Sequence, residues 1–432
     1  MSMIRIFITF LFLLIFGCSG PTENNSDITY IRAGKLIDVV KEQVLTDQII
    51  SVKNERIVSV TYFDSEKSYE NLIDWSDYTV LPGLIDGHSH LIGNIQSEDV
   101  LAPIKVSAEH DYELGLKNAK KTIDAGFTSV IDLGTYKAYV DIKLRDDINA
   151  GLVVGPRMYV SGAYITAPGG GGEVVGLDYG VEIPPEFREG VSANETEVRA
   201  NVNKLIDHNV DLIKVIATGA VLTVGTKPGE PEFTEAEIRS AVEEASKRGR
   251  YVTAHAHGAE GIKMAIRVGV RSIQHGSLAD DEAIHMMKEN GTWLVADIYN
   301  GDYIDEVGTA EGWPEETLRK NRDTTDMQRS AFEKAVKVGV NIAFGTDSGV
   351  YPHGDNAKQF AYMIRHGLTP MQAIKSATIW GAMSMSLEND IGSLEAGKFA
   401  DMIAIKGNPL DDITLLENIQ AVIKGGKPVV RN

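Results

Sequence analysis

The sequence predicts an α/β protein: a (β/α)8 TIM barrel with a small β-sandwich domain that both chain termini build. Two observations lead to this fold. Short apolar runs alternate with amphipathic helix patterns eight times through the middle of the chain, and buried parallel strands read as continuous apolar runs because helices cover both faces of their sheet. Both ends of the chain are instead rich in short β-branched segments. A doubly wound sheet is the alternative, but it gives no reason for the repeat to stop at eight.

The chain begins with the features of an export signal. Arg5 precedes a run over residues 6–16 that is apolar except for Thr9, and Gly17 follows this run. A run of this length is too short to cross a bilayer as a helix, which takes about 20 residues. Its layout is typical of a signal peptide, so we expect the mature protein to be exported.

Cys18 is the single cysteine of the chain and directly follows Gly17. Its position resembles a bacterial lipobox, which implies cleavage before Cys18 and lipid attachment to its sulfur. The plain alternative is an ordinary signal cut elsewhere, with Cys18 incidental. We predict a lipoprotein signal peptide at residues 1–18 and a polar tether at 19–28. The protein would then be lipid-anchored in the periplasm or at the cell envelope of a bacterium, without disulfides.

The composition is that of an acidic globular protein. Of the 432 residues, 43% are hydrophobic, and 61 acidic against 42 basic residues give a formal net charge of −19. Because this charge repels polyanions, nucleic acid is not an expected partner. We do expect the chain to form a homo-oligomer.

Segments 29–82 and 388–432 predict the composite β-sandwich domain. In the first segment, runs such as QIISVKNERIVSVTYF predict strands, with Lys53-Asn54-Glu55 as a hairpin turn. The second segment has the same character in ADMIAIKG and AVIKGGKPVV. Since the two segments flank a long middle, we expect their strands to pair in one domain.

Residues 83–387 carry the pattern of the barrel. Helix signals separate the apolar runs, and in one of them Thr234 and Glu237 have the spacing of a capping box. The runs expected to form the barrel strands are 83–90, 129–134, 157–162, 212–217, 252–257, 272–276, 294–299 and 342–348. In such a barrel the functional groups lie at the C-terminal ends of the strands, on the face that the βα loops build.

Polar side chains fall at that end of the runs. They are His88, His90, Lys214, His255, His257, His275 and Asp347. Residues two apart in a strand point to the same side, so His88 and His90 both face the barrel axis. Imidazole and carboxylate donors suit zinc or a similar divalent ion. A lone core histidine would be ordinary, but this convergence predicts a metal site.

Lys214 is the unusual member of the set, because a buried ammonium is costly and repels cations. Its amine could be deprotonated and attack a carbonyl as a Schiff-base nucleophile. Alternatively, it could take up carbon dioxide and become a carbamate that bridges two metals. We favour the carbamate, since it turns a repulsive cation into an anionic bridge among ligand histidines.

Six phrases carry a family resemblance. GLIDGHSH, LIKVIATGA, VTAHAHG, IQHG, FGTDS and GSLEAGKFADMIAI resemble the amidohydrolase superfamily, in its branch of two-metal members with a carboxylated lysine. The resemblance covers nearly everything after residue 28.

The resemblance implies two divalent ions, expected to be Zn²⁺, and assigns their ligands. His88, His90 and Asp347 would hold one ion, His255 and His275 the other, and the CO2-derived carbamate on Lys214 would bridge them. It also implies that a metal-bridging hydroxide attacks an amide carbonyl. Asp347 would be the catalytic residue that shuttles the proton to the leaving nitrogen.

Within the superfamily, the phrases SGAYITAPGGGGE, ATGAVLT and FTEAEIRSAVEEA resemble prolidase-like and dipeptidase-like members. Those Xaa-Pro dipeptidase and carboxypeptidase-like members cleave short peptides and N-acyl amino acids. Some of them have a histidine where this chain has the glycine run 169–172, and a tyrosine where it has Phe233. Both departures remove polar contacts to substrate, so specificity does not carry over.

The expected substrate contacts are His257, Gly170, Gly171, Phe233, Tyr299 and His353. His257 could contact a substrate oxygen or support a metal ligand from behind. The glycines could let backbone approach the substrate, or form a merely flexible loop. Tyr299 could line the pocket or join the core. His353 could lie near substrate or on the surface.

The sequence therefore predicts a binuclear metallo-amidohydrolase that acts on small peptides or N-acyl amino acids and releases a C-terminal, apolar amino acid. An Xaa-Pro dipeptidase is the close alternative. A hydrolase of cyclic amides or imidazolones is the next, and an exported location disfavours it. A surface lipoprotein that binds metal or ligand without chemistry is the last, and the presence of Asp347 argues against it.

We expect a Cys18→Ser variant to lose its membrane tether, because the serine hydroxyl cannot replace the thiol that carries the lipid. Fractionation of cells that express each form should place the wild type with membranes and the variant in the soluble fraction. If the variant remains with the membranes, the anchor is elsewhere.

Overall fold

The computed structural model describes residues 28–93, 102–174 and 183–430. The predicted signal peptide, Cys18 and the tether up to residue 27 lie outside these ranges. Within the described part of the chain, no helix is long and apolar enough to cross a membrane.

The described chain alternates strands and helices in the expected order. The strands are β1 Thr29–Asp38, β2 Gln43–Lys53, β3 Arg56–Tyr62, β4 Leu72–Pro82, β5 Leu84–Ser89, β6 Phe127–Asp132, β7 Arg157–Val160, β8 Ile213–Ile216, β9 Val252–Gly258, β10 Ser272–Leu278, β11 Trp293–Val295, β12 Asn341–Ala343, β13 Met402–Ile405, β14 Ala421–Lys424 and β15 Lys427–Pro428. The helices are α1 Ala102–Lys105, α2 Ala108–Asp124, α3 Val140–Asn149, α4 Glu195–Asp207, α5 Glu235–Lys247, α6 Ala259–Arg267, α7 Asp281–Asn290, α8 Asn300–Glu311, α9 Glu315–Val338, α10 Lys358–Arg365, α11 Pro370–Ser376 and α12 Ile379–Ser384.

Strands β5 to β12 form the barrel. All their ladders are parallel, in the order β5-β6-β7 and β8-β9-β10-β11-β12. Two parallel bridges close the ring: Ile165 with Val215 between the two groups of strands, and Ser89 with Ser348 between the first and last strands. Each of the eight strands overlaps one of the eight apolar runs, and the predicted fold class is confirmed.

The remaining strands form one sheet in the order β15-β14-β13-β4-β1-β2-β3. The predicted turn joins β2 to β3, and Asn54 and Glu55 take left-handed φ angles of 48° and 67°, as the favoured two-residue hairpin turn requires. The sheet curls on itself, because β3 at one end bonds the segment before β13: Ile57 N donates to Lys398 O at 2.9 Å. Both termini therefore build this unit, with a core of its own that includes Ile31, Trp75 and Met402.

One residue, Gly83, separates β4 of this sheet from β5 of the barrel. A side chain there would collide with Thr128, so the position requires glycine. The amide of Gly83 also donates to the carbonyl of Asp401 at 2.9 Å. The strands of the two units lie within the predicted ranges, and the division at residues 82/83 and 387/388 stays a prediction.

Candidate active site

Five histidines and Asp347 meet at the C-terminal ends of the barrel strands. Neighbouring imidazole rings have centroids between 4.5 and 5.4 Å apart. Oδ1 of Asp347 lies 3.1 Å from Nε2 of His88 and 3.2 Å from Nε2 of His90. The structure thus brings together all the predicted metal-ligating side chains: His88, His90, Lys214, His255, His275 and Asp347.

Two of these residues take left-handed backbone conformations. φ is 70° at His275 and 55° at Asp347, which side-chain-bearing residues rarely adopt. At Asp347 the unusual φ lets two successive amides reach one carbonyl: Thr346 N and Asp347 N both donate to His88 O, at 3.1 and 2.7 Å. Such backbone strain concentrates at functional sites, and here it directs both side chains into the cavity.

The ring nitrogens and the Asp347 carboxylate of this cluster are arranged to bind a cation. Nδ1 of His90 lies 2.9 Å from the carbonyl of Gly134, to which it must donate. Burial alone would lower the pKa of His90, but the hydrogen bond from its Nε2 to Asp347 and the charge of that carboxylate outweigh burial and raise it. A proton therefore lies between Nε2 and Oδ1 of Asp347, at a position that suits a cation. Burial lowers the pKa of His88 to about 3 and those of His255 and His257 well below their ordinary value. These rings are therefore neutral, the form that binds metals.

Lys214 lies among these groups, in β8. It is 2% exposed, and its Nζ has no hydrogen-bond partner within the described part of the chain. Burial lowers the pKa of Lys214 to about 7, so a large fraction of the amine is neutral near neutral pH. An amine in this state is nucleophilic, which both sequence-based hypotheses for Lys214 require.

Asp347 keeps its negative charge. Burial alone would raise the pKa of its carboxyl, but His88 and His90 outweigh burial and hold that pKa well below the ordinary value. The carboxylate is therefore available to bind a cation or to accept a proton. Sequence reasoning singled out this residue for both roles.

Asp297 is a member of the site that sequence reasoning missed. Its Oδ1 accepts from Nδ1 of His275 at 2.9 Å and from Nε2 of Gln328 at 2.9 Å. His275, Asp297 and Asp347 also form a group whose ligand atoms lie within 4.8 Å of one another. Asp297 lies two residues after the end of β11, so the rule that located the other residues at strand ends would have found it.

His257 is closer to the metal candidates than expected. Its Nδ1 pairs with Ser277 Oγ at 2.8 Å, and its ring stacks on that of His275 at 4.7 Å. His255, His257 and His275 form a second group whose ligand atoms lie within 4.8 Å of one another. His257 can thus hold a metal as well as contact a substrate.

Of the other predicted substrate contacts, Gly171 lines the cavity. Phe233 is 4% exposed and belongs to the barrel core. Tyr299 packs its ring against Tyr351, 4.9 Å away.

Gly170 and His353 also lie outside the residues that line the cavity. The amide of Gly170 closes a turn onto Ala167 O at 2.9 Å. His353 is buried rather than on the surface, and both ring nitrogens are occupied: Nδ1 pairs with Thr122 at 3.1 Å and Nε2 donates to the carbonyl of His90 at 2.9 Å. His353 therefore supports the backbone of a metal candidate instead of touching substrate.

A buried carboxylate supports the site from beneath. Asp86 is 0% exposed; its Oδ2 accepts from Thr346 Oγ1 at 2.6 Å and from Asn356 Nδ2 at 2.8 Å. Burial raises the pKa of Asp86 to about 6, against these hydrogen bonds. These hydrogen bonds join β5, which carries His88, to the segment after β12, which carries Asp347.

The loop after β8 forms one wall of the cavity, and Lys320 of α9 holds it. Nζ of Lys320 donates to the carbonyls of Ala220, Thr223 and Thr226 at 3.2, 2.7 and 3.1 Å. It also pairs with Glu316 at 3.1 Å. The lysine is 4% exposed, so these carbonyls depend on it rather than on water.

This fold, with imidazoles and a carboxylate at the strand ends, is that of the amidohydrolase family, to which the chain belongs; the sequence model of that family matches residues 79–429. Ochratoxinase of Aspergillus niger is 33% identical over 434 aligned positions, which cover 94% of this chain and 87% of that protein. The resemblance predicted from the motifs is therefore confirmed.

Two solved structures are similar over nearly the whole chain. One is an Xaa-Pro dipeptidase with methionine bound in its active site, which has 40% identity and a TM-score of 0.87, with 93% of this chain and 99% of that chain covered. The other is a prolidase in complex with N-methylphosphonate-L-proline, with 28% identity, a TM-score of 0.85, and 94% and 100% coverage.

We expect Lys320→Met to destabilise the protein by about 3 kcal/mol, because three buried carbonyls and Glu316 would lose their donor. Urea unfolding followed by circular dichroism measures the change. Lys337→Met is the matched control, since Lys337 is an exposed residue of the same helix and its loss should change stability by less than about 0.5 kcal/mol. Equal stabilities of the two variants would contradict the anchoring role.

Proposed function

We propose that this amidohydrolase is a metal-dependent peptidase that cleaves dipeptides or N-acyl amino acids and releases their C-terminal amino acid. The observation that carries the proposal is the unpartnered, buried amine of Lys214 among five imidazoles and Asp347. Similarity to ochratoxinase, a prolidase and an Xaa-Pro dipeptidase supports an amide bond as the target. Export and anchoring through Cys18, and assembly into a homo-oligomer, belong to the same proposal.

The residues fit two divalent ions. His88, His90 and Asp347 would hold one and His255 and His275 the other, with Asp297 and His257 as further donors. The amine of Lys214, once carboxylated, would bridge them. When bound, such ions supply Lewis acidity and lower the pKa of water to near neutral. Zinc suits this donor set of imidazoles and carboxylates.

The protein's own groups would handle the proton. Asp347 stays ionised, so its carboxylate can accept the proton of the attacking water and return it to the leaving nitrogen as the C–N bond breaks. Asp297 fixes His275 through Nδ1 at 2.9 Å, so that Nε2 keeps its lone pair for a ligand. His257, held by Ser277, can contact the carbonyl oxygen of the substrate.

The cavity favours an apolar amino acid. Apolar side chains from three segments line it: Ile216, Ala220, Val221, Leu222, Ile304 and Val350. Among the described residues that line the cavity, the two acidic side chains are Asp297 and Asp347, and both belong to the metal candidates. No carboxylate there is left to pair with a basic substrate side chain. The methionine bound in the similar dipeptidase is consistent with this preference.

A panel of dipeptides tests the proposal. The zinc-loaded protein should hydrolyse Xaa-Leu, Xaa-Phe and Xaa-Met with higher kcat/KM than Xaa-Lys, because the apolar wall lowers the cost of burying an apolar side chain. Initial rates of amino acid release provide the measurement. Activity confined to Xaa-Pro would instead favour the prolidase alternative, and turnover of a hydantoin without peptide cleavage would favour a cyclic amide hydrolase.

The carbamate on Lys214 makes a separate prediction. Metal-free protein reloaded with zinc in bicarbonate buffer should recover more activity than protein reloaded in CO2-free buffer, because carboxylation of the amine consumes CO2. Lys214→Gln should bind less zinc than the wild type by elemental analysis, whereas Lys337→Gln, at the exposed position, should bind the same amount. Identical metal content in both variants would count against the bridge.

A further inference from the structure

The metal candidates do not explain how the cavity recognises the α-carboxylate of a substrate. A dipeptide or N-acyl amino acid carries an α-carboxylate, yet Lys214 is the one lysine or arginine among the described residues that line the cavity, and the proposed function makes it anionic. The two positions where relatives have a polar residue hold Phe233, which is buried in the core, and glycine. Uncharged donors must therefore meet the carboxylate.

The hydroxyl groups of the cavity wall are nearly all occupied. Six side chains supply them: Tyr136, Tyr164, Thr223, Ser277, Thr324 and Thr325. Tyr164 donates to Gly134 O at 3.1 Å, and Thr223 donates to Gly171 O at 2.7 Å. Ser277 pairs with His257.

Thr324 and Thr325 bond back to carbonyls of their own helix, at 2.8 and 2.7 Å. The amides of Asn300, Asn321 and Gln328 are likewise paired, with Asp297 or with Gly301 O. Within the described part of the chain, Tyr136 alone has a hydroxyl that lines the cavity with no hydrogen-bond partner. Its proton is the hydroxyl proton left for a ligand.

The loop that carries Tyr136 is held on both sides. Next to it, Lys137 is buried and pairs with Asp111 of α2 at 2.5 Å. Tyr139 takes a left-handed φ of 75°, and its ring stacks on that of His208 with centroids 4.0 Å apart. The ring of Tyr136 itself contacts Tyr164 edge-to-face at 5.8 Å. A donor fixed before binding loses little entropy when the ligand arrives.

We infer that Tyr136 is a specificity-determining residue whose hydroxyl donates a hydrogen bond to the α-carboxylate of the amino acid that is released. The inference rests on the proposed function for the identity of the ligand. A hydrogen bond from a neutral hydroxyl to a carboxylate is charge-assisted and stronger than one between neutral groups. Burial, and then the charge of Asp347, raise the pKa of Tyr136 to about 12, so the hydroxyl keeps its proton at any pH at which the protein works.

The test compares a carboxylate with the matching neutral amide. In the zinc-loaded enzyme, Tyr136→Phe should raise KM for N-acetyl-L-methionine about 10- to 100-fold with little change in kcat, because it removes a bond made in the ground state. KM for N-acetyl-L-methioninamide should change much less. Tyr164→Phe is the control: the hydroxyl of Tyr164 is paired with a backbone carbonyl, so the ratio of the two KM values should stay that of the wild type.

Two results would overturn the inference: an unchanged KM ratio in Tyr136→Phe, or an equal loss of kcat for both substrates, which would assign the hydroxyl to the transition state or to folding. A binding measurement tests this inference independently of the proposed function. If the wild type hydrolyses neither compound, calorimetry with L-methionine and L-methioninamide still decides. Weaker binding of methionine alone in the variant supports the carboxylate contact, and equal binding by both proteins refutes it.

Discussion

The joint between the first and last barrel strands is the constraint on which the site depends. There the left-handed conformation of Asp347 lets the amides of Thr346 and Asp347 share the carbonyl of His88. Beneath the joint, Asp86 accepts from side chains on the segment after β12. Because the backbone is fixed on both sides, the imidazoles and the carboxylate face one another before any ligand arrives. Supporting layers of this kind hold functional groups to the tolerance that chemistry needs.

The cavity divides into two chemically different parts. One part offers lone pairs and an ionised carboxylate, and it suits divalent cations. The other, formed by the loop after β8 and by α8 and α9, is apolar or has its polar groups already paired. Helix α9 links the two parts, since Lys320 secures the apolar loop and Gln328 secures Asp297, which in turn orients His275. A disturbance of this helix would therefore reach both the metal candidates and the substrate wall.

Sequence reasoning succeeded where a local pattern determines position. Alternation within one strand places His88 and His90 on one side, and eight apolar runs are enough to define a barrel whose strand ends converge. It failed where the partner is distant in sequence. Lys320 reads as one more helical lysine, and nothing near it in the sequence indicates the three carbonyls it binds 94 to 100 positions away. The direction of the His353 ring was out of reach for a related reason, because it depends on Thr122 of α2.

The left-handed φ angles at His275 and Asp347 have a consequence for protein engineering. Glycine adopts such angles without penalty, so replacing His275 or Asp347 by glycine would relieve backbone strain. A selection for thermal stability alone would therefore enrich such variants. The most stable of them would lack the side chains that the reaction needs. Any attempt to raise the thermal stability of this protein has to measure turnover as well as stability.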